Sequence, residues 1–155
     1  MRRHLQQISE LECEKILNEQ DTGVLSIIDD NGYPYLVPLN YVYYEKKIYF
    51  HCAMQGEKID CIKQNNQVGF CVIEKDEVMP EALATNYGSV TIRAQAKIIN
   101  DENTKKDVLM KLCEKYAKEF LELAKKEIST SLQRTCIVEL NIINMTGKFS
   151  KNRLI

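Results

Sequence analysis

Between Tyr87 and Asn100 apolar and polar residues alternate, with Val90, Ile92, Ala94, Ala96 and Ile98 at one parity and Thr91, Arg93, Gln95 and Lys97 at the other. Successive side chains of a strand point to opposite faces, so this spacing predicts a strand buried on one side and solvated on the other. The rest of the chain must supply the sheet in which such a strand sits.

Gly23 to Ile28 reads as a second strand, followed by a hairpin turn at Asp29-Asp30-Asn31-Gly32. Tyr33 to Tyr44 is rich in tyrosine, valine and leucine. It reads as a bent or bulged strand with Pro38 at the irregularity, because proline cannot donate to a ladder. Lys46-Lys47 turns the chain and Lys47 to Ala53 returns, which makes a three-stranded meander before residue 54. Gln67 to Glu74 is the next strand. Lys75 to Asn86, which contains Pro80 and shows no period, reads as a loop, and Cys136 to Met145 is the final strand.

Helices punctuate this order. Ser9-Glu10-Leu11-Glu12 matches a capping box and predicts a short helix, with Leu11, Ile16 and Leu17 near one face, that ends by Glu19 to Thr22. Gly56 to Asn65 carries Ile59, Cys61 and Ile62 at helical spacing. Asn100-Asp101 caps a long helix over residues 102–125, with Val108, Leu112, Cys113, Tyr116, Ala117, Phe120 and Ala124 as its apolar stripe. Tight turns outnumber helical crossovers. The expected fold is therefore mainly β (α+β): a six-stranded antiparallel sheet closing into a barrel, with flanking helices.

Bulk properties narrow the function. The 155 residues suit one domain, residues 1–155. The net charge of −1 offers no field to recruit nucleic acid or an anionic membrane, and Arg2, Arg3, Lys148, Lys151 and Arg153 read as solvated ends. Gln6, Gln7, Glu10, Glu12 and Glu14 interrupt Leu5 to Asn18, so no signal-peptide core follows the basic start. No stretch approaches the roughly 18 apolar residues of a membrane span, and a cytoplasmic location is expected. The six cysteines form no CxxC pair, and only His4 and His51 are available to join them around a metal, so no metal site is expected. They read as small buried hydrophobes in a reduced cytosol.

The chemistry concentrates in Ile48-Tyr49-Phe50-His51-Cys52-Ala53-Met54-Gln55-Gly56-Glu57-Lys58, a strand that runs through a glycine turn into a helix. A helix N-terminus favours anions, and a lysine there favours phosphate. Gly56 lets backbone approach the anion, and His51 places an imidazole a few residues away. The pairing suits a phosphate-bearing cofactor. The plainer alternatives are an exposed helix-start lysine and a histidine satisfied in the core.

Tyr33-Pro34-Tyr35-Leu36-Val37-Pro38-Leu39-Asn40-Tyr41, Ile48 to Ala53, Gly56-Glu57-Lys58-Ile59-Asp60, Gly88-Ser89-Val90 and Met145-Thr146-Gly147-Lys148 occur in this order and spacing. The pattern, over residues 1–150, resembles the pyridoxamine-5′-phosphate-oxidase-like flavoproteins, and within them the 5-nitroimidazole-resistance subfamily. The resemblance implies a split β-barrel homodimer with FMN, or alternatively FAD, in clefts touched by both chains. It implies an oxidoreductase that passes electrons from a nicotinamide or another donor to a small planar acceptor such as a 5-nitroimidazole.

The resemblance places the cofactor against Val37, Pro38, Leu39, Asn40, His51, Cys52, Ala53, Gly56, Lys58 and Ser89, with His51 as the candidate catalytic residue. Arg93 is a candidate cross-dimer contact. Tyr41, Tyr43 and Tyr44 either stack on the ring or pack in the core or dimer interface. Vitamin B6 oxidation is not carried over, because it needs a second phosphate site and residues 85–99 hold only Arg93 and Lys97 as cations. The alternatives are a flavin-binding module without turnover, a haem-handling protein with His51 as axial ligand, and an empty structural dimer.

Overall fold

The structure is a computed structural model that describes residues 4–150. Arg2, Arg3, Lys151 and Arg153 lie outside the described residues. In chain order the elements are β1 (Gln7–Ile8), α1 (Glu10–Glu19), β2 (Thr22–Ile28), β3 (Pro34–Asn40), β4 (Val42–Tyr44), β5 (Lys47–Ala53) and α2 (Glu57–Gln64). They continue with β6 (Gln67–Met79), β7 (Ala84–Ile99), α3 (Glu102–Tyr116), α4 (Leu121–Ser131) and β8 (Thr135–Phe149). The eight strands form one antiparallel sheet in the order β3-β2-β6-β7-β8-β5-β4, with β1 added on β8. The sheet does not close, since β3 and β4 end the path with no ladder between them.

The alternation that opened the sequence is realised in β7. Val90, Ile92, Ala94 and Ala96 are buried and Ile98 is half-buried, while Thr91, Arg93, Gln95 and Lys97 are exposed. The inner face packs Leu25, Ile27, Phe50, Phe70, Val72, Val138 and Leu140 with α1 and α2. The opposite face of β5 and β8 buries Tyr49 and Ile137 beneath α3 and α4, through Val108, Leu112, Ile128 and Leu132. A Cβ on Gly23 would stand 2.2 Å from Cζ of Phe70, so the small residue there makes room for that ring in the inner core.

Several expectations are corrected. The run Tyr33 to Tyr44 is two strands, broken at Tyr41, and β3 does not pair with β4, so no three-stranded meander forms. The break is not at Pro38, which pairs in unbroken register with Val24. β3 is an edge strand, where a missing N–H costs no ladder bond. Lys75 to Asn86 is not a loop: Lys75–Met79 pairs with Ala84–Gly88 as an arm beyond a bulge at Ile73/Lys75, and Pro80 sits in the turn. The arm shows no period because Lys75, Asp76, Glu77 and Val78 are all exposed.

The predicted helix over 102–125 is also divided. Ala117 leaves helical geometry at φ −141°, a short 3₁₀ turn follows, and α4 starts at Leu121. Phe120, placed on the stripe, is 62% exposed. In α1 the capping box forms as expected, but Leu11 faces solvent and Cys13 takes its place beside Ile16 and Leu17. None of the described helices is long and apolar enough to cross a membrane.

Candidate functional site

α2 packs on β2 and reaches β5. Its Ile59 and Ile62 enter the inner core, and Cys61 lies close enough to the turn carboxylates Asp29 and Asp30 to have its thiol pKa raised, after burial, by their charge. On the other side the Lys58 ammonium sits 5.6 Å from the ring centroid of Phe50 in β5. The helix begins at Gly56, whose φ of 130° is a conformation L side chains rarely adopt and whose Cβ position faces open space. No side chain caps this N-terminus. An uncapped helix start with an adjacent lysine matches the donor set an anionic group needs. Glu57 and Asp60 also lie in the first turn, so Lys58 is the cation on which that match depends.

His51 and Ala53 are exposed at the end of β5, paired with Ile137 and Thr135 of β8. Partial desolvation of the imidazole, and then the Lys58 charge, hold the His51 pKa below the ordinary 6.5. The ring is therefore neutral at pH 7, with one nitrogen donating and the other accepting. Cys52, between these residues, points the opposite way, into the core.

In β3, Val37 and Leu39 turn inward against the core, whereas Pro38 and Asn40 are exposed. The Asn40 amide is already engaged, donating to the Asp21 carbonyl at 3.0 Å. Tyr41 is fully buried, Tyr43 donates to Glu14 Oε1 at 3.0 Å, and Tyr44 packs on Tyr49. All three tyrosines are thus placed within the protomer's own packing.

Ser89 stands apart. It is half-buried on β7, opposite Ile73 and Lys148, whereas His51 is opposite Ile137. Ile137 and Lys148 are eleven positions apart on β8, a strand length on the order of 36 Å. The register alone does not set Ser89 beside His51 within one protomer. A cleft of about 610 Å³ does open towards that far end, lined by Glu12, Lys15, Glu19, Glu74, Phe149 and Ser150 among others. Three carboxylates against one lysine make it a poor seat for phosphate.

Sequence reasoning missed three residues around the site. Tyr116 accepts from the Tyr41 N–H at 3.1 Å, and its hydroxyl lies 2.6 Å from the Tyr41 carbonyl and 2.7 Å from that of Asp21. Lys115 donates to the Gln20 carbonyl at 2.6 Å and lies 4.3 Å over the Tyr41 ring. Cys136 is the direct cross-strand partner of Cys52. No local spacing signals these contacts, which join segments 74 to 95 residues apart, or 84 in the cysteine pair. Among the described residues no cluster of His, Cys, Asp and Glu is arranged to hold a metal ion.

A sequence model of the pyridoxamine 5′-phosphate oxidase family matches residues 9–149. No curated protein matches the chain. Among solved structures, the fold is similar to that of a candidate 5-nitroimidazole antibiotic resistance protein of Bacteroides thetaiotaomicron VPI-5482. That similarity has a TM-score of 0.77 and 22% identity over 92% of this chain and 86% of that one. It is also similar to an FAD-binding protein of Mesorhizobium loti (TM-score 0.67, 22% identity, 94% and 97% coverage). A third is an FAD and haem binding protein of Mycobacterium smegmatis (TM-score 0.80, 16% identity, 95% and 74% coverage). At these identities the likeness establishes the split-barrel fold.

Proposed function

Because the chain belongs to the pyridoxamine 5′-phosphate oxidase family, we propose that it binds a flavin, FMN in our reading, between the protomers of a homodimer and reduces small planar acceptors of the nitroimidazole kind. The observation that carries this reading is the uncapped start of α2 at Gly56, with Lys58 beside it and the neutral, exposed His51 one strand end away. The structural relatives described as binding FAD, and the one linked to 5-nitroimidazole resistance, support the same reading.

Bound flavin supplies electron and hydride transfer at its ring. This chain's residues hold and orient it. Lys58 and the first N–H groups of α2 take the phosphate, and Gly56 lets the backbone approach it. His51, being neutral, would offer an N–H to the bound flavin and add hydrogen bonding without a fixed charge. Ala53, with only a methyl group, would leave the exposed end of β5 open to the cofactor. Ser89 and Arg93 are presented by the second protomer, because the register does not set Ser89 beside His51 within one chain. With only Arg93 and Lys97 as cations in residues 85–99, a second phosphate site for pyridoxamine phosphate is not part of the proposal.

The test is an absorbance spectrum of freshly purified protein, with the released chromophore identified by mass. A nicotinamide oxidation assay with metronidazole or a quinone then follows. A yellow protein releasing FMN or FAD and turning over acceptor supports the proposal. A yellow protein inert towards every acceptor reduces it to a flavin-binding module. A Soret band replaces flavin with haem, and a colourless protein that gains no thermal stability from FMN overturns the reading.

A further inference from the structure

Cys52 and Cys136 are directly opposed on β5 and β8, one pair from the end of the ladder at Ala53 and Thr135. Opposed residues of an antiparallel pair have Cα atoms about 4.5 or 5.5 Å apart and side chains on the same face. Both separations lie within the range a disulfide spans. Cys136 is buried and Cys52 is half-buried, and each thiol shifts the other's pKa, in opposite directions. The other cysteines, Cys13, Cys61, Cys71 and Cys113, lie on α1, α2, β6 and α3, none of them opposite another cysteine in a ladder.

We propose that Cys52 and Cys136 form a redox-active dithiol that exchanges with low-molecular-weight disulfides, with Cys52 as the entry sulfur and Cys136 as the resolving one. Both sulfurs lie on the inner side of the strands, not on the face that carries His51, and within reach of the Lys58 charge.

The electrostatics favour the chemistry. A proton shared with the Cys52 sulfur lowers the Cys136 pKa against the cost of burial, helped by the charges of Lys105, Lys63 and Lys58. The same shared proton, and then burial, push the Cys52 pKa up. Cys136 therefore serves first as the base. It takes the Cys52 proton as that sulfur attacks an external disulfide RSSR. The R–S–S–R bond breaks, Cys52–S–S–R forms and RS⁻ leaves, taking up the proton from Cys136 as RSH. The Cys136 thiolate then attacks the Cys52 sulfur, the protein disulfide forms and a second RS⁻ leaves. The two cysteines lose two electrons, and RSSR gains them as two thiol equivalents.

The test equilibrates the purified full chain, as isolated, with oxidised glutathione near neutral pH, followed by alkylation and peptide mapping without reduction. The expected product links the Cys52 and Cys136 peptides, reverts with dithiothreitol, and leaves the other four cysteines open to alkylation after unfolding. Cys136→Ser should form a glutathione adduct on Cys52 more slowly, because the base is gone, and then retain it, because the resolving sulfur is gone too. Cys52→Ser should leave Cys136 unmodified in the folded protein. Recovery of both cysteines as thiols from the native protein, or a link that forms only in denaturant, overturns the proposal. A flavin-free preparation that still forms the link separates this result from the fate of the flavin reading.

Discussion

Lys58 is the one cation at an N-terminus whose first turn also holds Glu57 and Asp60, so its removal leaves the two carboxylates unopposed. A charged hydrogen bond contributes about 1.5–3 kcal/mol, which corresponds to roughly a 10- to 150-fold loss of affinity. Lys58→Met is expected to weaken FMN binding by that factor in a flavin-fluorescence titration, while the aliphatic chain keeps its packing over Phe50. An unchanged affinity would remove Lys58 from the phosphate site. His51 predicts a pH effect of definite sign. Its folded pKa lies below the ordinary 6.5, so below that pH the unfolded chain binds the proton more readily. Stability from this group is present above 6.5 and is lost as pH falls through the folded value. His51→Gln should flatten that part of the stability profile in urea titrations at a series of pH values. A wild-type slope retained by the variant would assign the loss to other groups. Lys58 and His51 were legible because they lie seven positions apart around a glycine. The engaged amide of Asn40 was not, because its partner Asp21 lies across a hairpin.

At the scale of elements, local signals carried well and long-range ones did not. The Ser9–Glu12 box, the Asp101 cap and the Asp29–Gly32 turn each depend on atoms within four residues, and each is present. The break between β3 and β4 depends on α3, whose last residue holds the Tyr41 backbone where a ladder bond would otherwise be. Tyr116→Phe removes the acceptor for the partly buried Tyr41 N–H and the donor to its carbonyl. An unsatisfied buried group costs about 1–3 kcal/mol, so the variant should melt several degrees lower by calorimetry. Lys115 still reaches the Tyr41 carbonyl at 3.3 Å, so the fold should persist. An unchanged melting temperature would mean that water replaces the hydroxyl and that the corner between β3 and β4 is fixed by burial of the Tyr41 ring alone. The arm of β6 and β7 was illegible for a different reason. Its exposed pairs are held by backbone bonds, and neither face has a core to impose a period.

The whole molecule is an open sheet whose proposed cofactor contacts lie at two separate places. If Ser89 and Arg93 reach the flavin from a second protomer, then flavin binding and dimerisation share one free energy and each must strengthen the other. Sedimentation should show a dimer that FMN shifts to lower dissociation constant. Dilution at fixed FMN should release flavin as the dimer dissociates. At FMN one hundred times its dissociation constant, linkage adds about 2.7 kcal/mol to stability, and for a chain of this size that is a rise of about 5–10 °C in melting temperature. Arg93→Glu, exposed on the outer face of β7, should lower both the flavin affinity and the dimer population. A change in only one of the two would separate them. Flavin binding that is independent of protein concentration, and untouched by Arg93→Glu, would place the whole site within one protomer. Gly56, Lys58 and His51 would then have to hold the cofactor without Ser89.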